Sequence, residues 1–227
     1  NWMLEKLKFD IGKIPFEGYN VVDEYRMPEL HKANQLWKDG KYKGAILNYD
    51  AVISSVLKTA YGSMDRIWEL RIAYNNKLLL LQKLFRANKM WSLSDCKELL
   101  DLYDSCIKKL DEIVGKCKKN SEFSLRTSLD SVAELLIEKG KLVERLSAID
   151  AAMPLYEKAL TMINAVISIN PTDDRAYYDK GIHLSRMNKN DEAIDALSTA
   201  QELSTNERLL KNIEEAIESI QQGSRFF

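Results

Sequence analysis

Apolar residues recur at spacings of three and four almost everywhere after residue 25, and strict alternation is nearly absent. That period is helical, so the chain is expected to be all-α. Breaks in the pattern fall on residues that start or stop helices. Pro28 suits a first turn and Gly40 a left-handed stop, which predicts a first helix pair over about 28–39 and 43–61. Tyr42, Ala45, Tyr49 and Val52 make the apolar stripe of its second helix. A longer pair is expected over about 63–88 and 92–118, with Asn88 as a stop and Ser92 as an N-cap, Asp95 standing three residues on. The third pair is expected over about 124–152 and 154–169. Its first helix carries Leu125, Leu129, Val132, Leu136, Val143 and Leu146 on one face. Gly140 interrupts that stripe without shifting it, which favours one long helix with a weak point, since Gly costs about 1 kcal/mol relative to Ala. Pro154 is expected to open the partner helix, and Asn170-Pro171 to close it. A fourth pair follows over about 174–187 and 191–203. An amphipathic helix over about 206–222, carrying Leu209, Ile213, Ile217 and Ile220, reads as a cap, and residues 223–227 as a tail.

The second half of the chain echoes itself at 34 residues. Ala193 lies 34 positions after Ala159, and Ile163, Val166 and Ile169 are answered by Leu197, Ala200 and Leu203. A fixed period of this size marks a repeat protein, in which a helix pair cannot bury its apolar face without neighbours. Residues 1–27 stand outside the pattern and are rich in aromatics (Trp2, Phe9, Phe16, Tyr19, Tyr25). They predict an extended arm with a short helix near Leu4–Phe9. The arm would cap the first pair, lie in the protein's own groove or reach a partner.

These residues resemble the tetratricopeptide repeat family. The fourth pair carries its pattern in Tyr177, Gly181 and Leu184, then Ala193, Leu197 and Ala200. The third carries it in Tyr156, Ala159, Ile163, Val166 and Pro171, and the first in the run from Ala33 through Trp37, Gly40 and Tyr42 to Ile46. Small residues let helices approach closely, and aromatics fill the space between units. The match covers roughly 110 of the 227 residues. The second pair departs from it, being too long and lacking the alanine and glycine signature. The resemblance implies a right-handed α-solenoid of antiparallel helix pairs over residues 28–222, acting as an interaction scaffold that binds a peptide or partner helix in a concave groove. A generic bundle, a 14-3-3-like adaptor and a helical regulatory domain of a larger enzyme are the alternatives for the long middle helices.

One branch of that family, the chaperone-binding co-chaperones, grips a C-terminal carboxylate with lysine, asparagine and arginine side chains. A carboxylate has four acceptor positions, and each charge-assisted donor contributes roughly 1.5–3 kcal/mol. In this chain Asn34 matches the first asparagine of that pattern and Asn76 (or Asn75) the second. Lys141 and Arg145 have the third-repeat spacing, four apart on one helix face. The first lysine of the pattern is missing, because Leu30 stands in its place.

Composition narrows the class further. The net charge is −1, from 33 basic and 34 acidic residues, which lacks the basic excess of a nucleic-acid or anionic-membrane binder. Lys116-Cys117-Lys118-Lys119, the nearest thing to a basic run, sits where a helix should end and complements its dipole. Cys96, Cys106 and Cys117 are ten and eleven apart, with no CxxC pair, so neither a disulfide framework nor a zinc site is expected. Packing thiols in a reducing, cytoplasmic setting are the expectation. The longest apolar run, Leu78–Leu81, is four residues, far short of a membrane span of roughly 18 or more. The chain opens on Asn1-Trp2 rather than Met, as an excised or processed chain would, and has no signal-peptide layout. His31 and His183 stand outside any HExxH spacing, and no GxSxG, Walker or GxGxxG loop occurs. No enzyme activity, cofactor or metal is therefore expected.

Overall fold

The computed structural model describes Glu5 and residues 7–18, 27–59, 64–90, 93–117 and 122–223; at 59, 64–67, 93–95, 116–117 and 122–124 it describes the backbone alone. Among the described residues there is no strand, and apart from residues 7–18 and the short links between helices the chain is α-helical. The helices are α1 (Pro28–Lys38), α2 (Tyr42–Thr59), α3 (Met64–Ala87), α4 (Leu93–Cys117), α5 (Glu122–Leu146), α6 (Ile149–Ile169), α7 (Asp174–Arg186), α8 (Asn190–Leu203) and α9 (Glu207–Gln221). They fall into two compact units, Asn1–Ser128 and Leu129–Phe227, the division lying inside α5. None of them is long and apolar enough to cross a membrane.

In the first unit α1 packs on α2, α2 on α3 and α3 on α4. The stripe read from the sequence is the buried face of α2, since Tyr42, Ala45, Tyr49 and Val52 are all inside. Leu30, Ala33 and Trp37 supply the facing side of α1. Two polar bridges fix the neighbours. Lys77 Nζ of α3 meets Asp50 Oδ1 of α2 at 2.6 Å, and Gln82 Nε2 donates to the Tyr103 hydroxyl of α4 at 2.5 Å. Cys96 and Cys106 are buried thiols outside any disulfide. The Cys117 side chain, Ser92, Leu4 and Lys6 lie outside the described residues; of the short helix expected at 4–9, Glu5 is helical and positions 7–9 are not.

In the second unit the tightest joint is between α7 and α8. A Cβ added at Gly181 would stand 2.5 Å from Leu197 Cγ and 3.0 Å from the Ala193 carbonyl oxygen, so only glycine lets these helices come so near. The core around them joins Leu184, Ala193, Leu197, Ala200, Leu209, Ile213 and Ile220. Asp173 caps α7 by accepting from Ala176 N–H, and Asn206 caps α9 by accepting from Arg208 and Leu209 N–H.

One boundary departs from expectation. The third pair breaks at Ser147-Ala148, not after Ala152, and Pro154 sits inside α6 instead of opening it. Proline lacks the N–H that would reach Asp150, which weakens the first turns. Apolar packing prevails over that preference. Ala152 and Tyr156, one turn apart on α6, are buried together against Met187 and need Ala152 to be helical. α5 does run unbroken through Gly140, where any side chain would overlap the Tyr156 ring.

The first helices of three pairs end on the same corner. Gly40, Lys89 and Asn188 have φ of 76°, 56° and 58°. In each case the following N–H returns to the carbonyl five residues back: Lys41 to Leu36 at 2.8 Å, Met90 to Phe85 at 2.9 Å, Lys189 to Leu184 at 2.9 Å. This is the Schellman closure, which satisfies carbonyls at the helix end.

Candidate functional site

The four residues singled out as carboxylate ligands fall into two pairs. Asn34 of α1 and Asn76 of α3 meet in the first unit. Asn76 Nδ2 donates to Asn34 Oδ1 at 2.8 Å, and the Tyr49 hydroxyl donates to the same oxygen at 2.6 Å. Asn34 is 2% exposed and Asn76 0%. Burial raises the Tyr49 phenol well above its ordinary range, so it stays protonated and donating. These amides are turned to one another inside the packing and offer almost no surface to a ligand.

Lys141 and Arg145 lie one turn apart on α5 in the second unit. With Glu144 of the same helix and Arg186 of α7 they line a cleft of about 360 Å³. Three of those four side chains are cationic. Lys141 Nζ is held at 2.6 Å by Glu138 Oε1. Glu144 accepts from the Tyr156 hydroxyl at 2.8 Å. That phenol is pushed up, first by burial and then by the Glu144 carboxylate, so it remains a donor. Arg145 is exposed.

His183 precedes Arg186 by one turn of α7. Its Nδ1 is buried without a hydrogen-bond partner among the described residues. Burial, with the positive charges of Arg186 and Lys141 added, pushes its pKa down to about 3, so the imidazole is neutral at physiological pH. The cleft therefore has the charge of its lysine and two arginines, offset by the Glu144 carboxylate, without a contribution from histidine.

Sequence reasoning missed Arg186 and noted His183 only as standing outside any HExxH spacing. The signal was available only in part. Both sit on α7, and nothing local distinguishes them from surface charges. Among the described residues no group of three or more His, Cys, Asp or Glu side chains could hold a metal ion. The surroundings of Cys106 disfavour its thiolate: burial above all, and then the Asp50 carboxylate, push the thiol up to about 12, against the opposing charge of Lys77. The chain matches no protein-family model and no curated protein.

Proposed function

We propose that the chain is a protein-interaction scaffold on the tetratricopeptide plan, its helix pairs stacked as a right-handed solenoid, and that it holds an acidic peptide or the acidic end of a partner helix. The observation that carries this reading is the cleft lined by Lys141, Arg145 and Arg186, whose three cations outnumber its one carboxylate, Glu144. Two helices supply its cations, so a carboxylate entering it is met from both sides. Guanidinium groups suit this task because their planar forks match a carboxylate's two oxygens. Two such contacts are worth a few kcal/mol, and the remaining affinity would come from the peptide's apolar contacts. Micromolar binding, about −8 kcal/mol, is the expected scale.

A second reading is favoured by the one-turn spacing of Lys141 and Arg145 on the cleft wall: capture of a chaperone's C-terminal carboxylate. Calorimetry with an acidic peptide ending in a free carboxylate, set against its amidated twin, separates the two. Equal binding of both peptides, lost in Arg145→Ala, supports recognition of acidic side chains. Binding of the free acid alone supports the C-terminal clamp. Binding of neither sinks both readings of this cleft.

A further inference from the structure

Residues 7–18 run without helix or strand over the first unit and touch three of its helices. Two of these contacts are made by side chains to the arm's main chain. The Asn88 amide takes both backbone groups of Lys8: Lys8 N–H donates to Asn88 Oδ1 at 2.8 Å, and Asn88 Nδ2 donates to the Lys8 carbonyl at 3.2 Å. The Tyr42 hydroxyl of α2 accepts the Ile14 N–H at 2.6 Å and faces the Gly12 carbonyl at 3.5 Å. Such contacts recognise an extended backbone without regard to sequence.

Selectivity lies in the side chains. Leu7 and Ile14 are buried. The Phe16 ring meets Trp37 of α1 edge to face, with centroids 4.9 Å apart, and Lys38 Nζ lies 4.9 Å from the same ring. Glu17 pairs with Lys83 of α3 at 2.6 Å. At Gly18 a Cβ would come within 2.6 Å of Asn76 Oδ1, so the chain passes that amide only as glycine. Backbone clamps, two apolar seats, an aromatic seat and a lysine for a carboxylate are the parts of a peptide-binding groove, and here the chain's own segment fills it.

We propose that the surface formed by α1, α2 and α3 is a second peptide-binding groove, occupied in cis by residues 7–18. Its ligand in trans is an extended segment of a partner protein with apolar residues at the spacing of Leu7, Ile14 and Phe16, followed by an acid and a glycine. Because it belongs to the same chain, the arm competes with that ligand at an effective concentration of about 1 mM. The partner must displace the arm to bind.

A fluorescent peptide copying residues 7–18, titrated against the full chain, tests this. The parent chain is expected to bind it weakly. Full-length Ile14→Asp, and the milder Phe16→Ala/Glu17→Lys double variant, are expected to bind it at least ~10-fold more tightly, because their own arms no longer compete. Adding Asn88→Ala to either should reverse the gain. Variants that keep the parent's helical circular dichroism but gain no affinity would overturn the proposal. So would variants that lose helicity and are not restored by peptide, since the arm would then be core rather than ligand. A parent chain that sediments as a dimer, dissociated by the peptide, would give the groove to a second copy instead of a partner. None of these readouts involves Lys141, Arg145 or Arg186, so this proposal and the acidic-cleft reading fail separately.

Discussion

Asn76 donates its side-chain amide to the side-chain oxygen of Asn34 across 2.8 Å, tying α3 to α1 over 42 positions of sequence. Because Tyr49 donates to the same oxygen, Asn34 is an acceptor shared by two buried donors. Asn34→Ala leaves both donors without it and should cost about 1–3 kcal/mol, more than Asn76→Ala. Urea denaturation of the two variants checks the order. Equal midpoints would mean that the shared oxygen is not the centre of the network.

Gly181 sets the spacing of α7 and α8. Alanine there gains helix propensity, about 1 kcal/mol, but its methyl must displace Leu197 and the Ala193 carbonyl. Overpacking of this kind costs about 1–3 kcal/mol, and backbone is among the atoms that must move. Gly181→Ala should therefore melt below the parent and Gly181→Val lower still. A thermal scan in which Gly181→Ala gains stability would show that the joint is slack.

Stability should depend on pH through His183. Its folded pKa of about 3 lies below the ordinary 6.5. As pH falls below about 6 the unfolded chain takes up a proton that the folded chain refuses. Stability is then lost toward acid, at up to about 1.4 kcal/mol per pH unit, until the folded pKa is reached. His183→Gln should remove that part of the slope. Comparing parent and variant at pH 7, 5 and 4 isolates it from the carboxylates, which titrate in both.

Arg145 is exposed on the cleft wall. Arg145→Ala should leave the melting temperature nearly unchanged, as surface substitutions stay within about 0.5 kcal/mol. Its affinity for an acidic peptide should fall about 10-fold or more. Loss of stability without loss of affinity would assign the residue to the fold rather than to the ligand.

Cys106, buried and with its thiol held near 12, should resist iodoacetamide at pH 8 in the native chain and react fully in urea. Mass spectrometry of the peptide containing Cys106 reads this directly.

Much of the fold was legible because it is local. The α2 stripe from Tyr42 to Val52, the stop at Gly40 and the close at Asn170-Pro171 each follow from a few neighbouring residues. Pro154 misled because its preference for a first turn is a local rule, and burial of Ala152 and Tyr156 against Met187 is a tertiary term that overrode it. The site was less legible. Lys141 and Arg145 announce themselves by spacing, but Arg186 joins them only through the packing of α7. Asn34 and Asn76 have the residue types of ligands, and only the meeting of α1 with α3 shows that they face each other. The arm's contacts depend on Asn88 and Lys83, whose roles no spacing in the sequence foretells.

The three left-handed corners have a bearing on how far this architecture can drift in sequence. Glycine forms one of them, lysine the second and asparagine the third, while the returning hydrogen bond is conserved in all three. The information for the bend is thus held in main-chain atoms that every residue but proline carries. A lineage can rewrite such a corner letter by letter and keep its geometry, at a cost of about 1–2 kcal/mol for each side chain in that conformation. Helix pairs can thus share a corner in the course of the backbone without sharing a residue there.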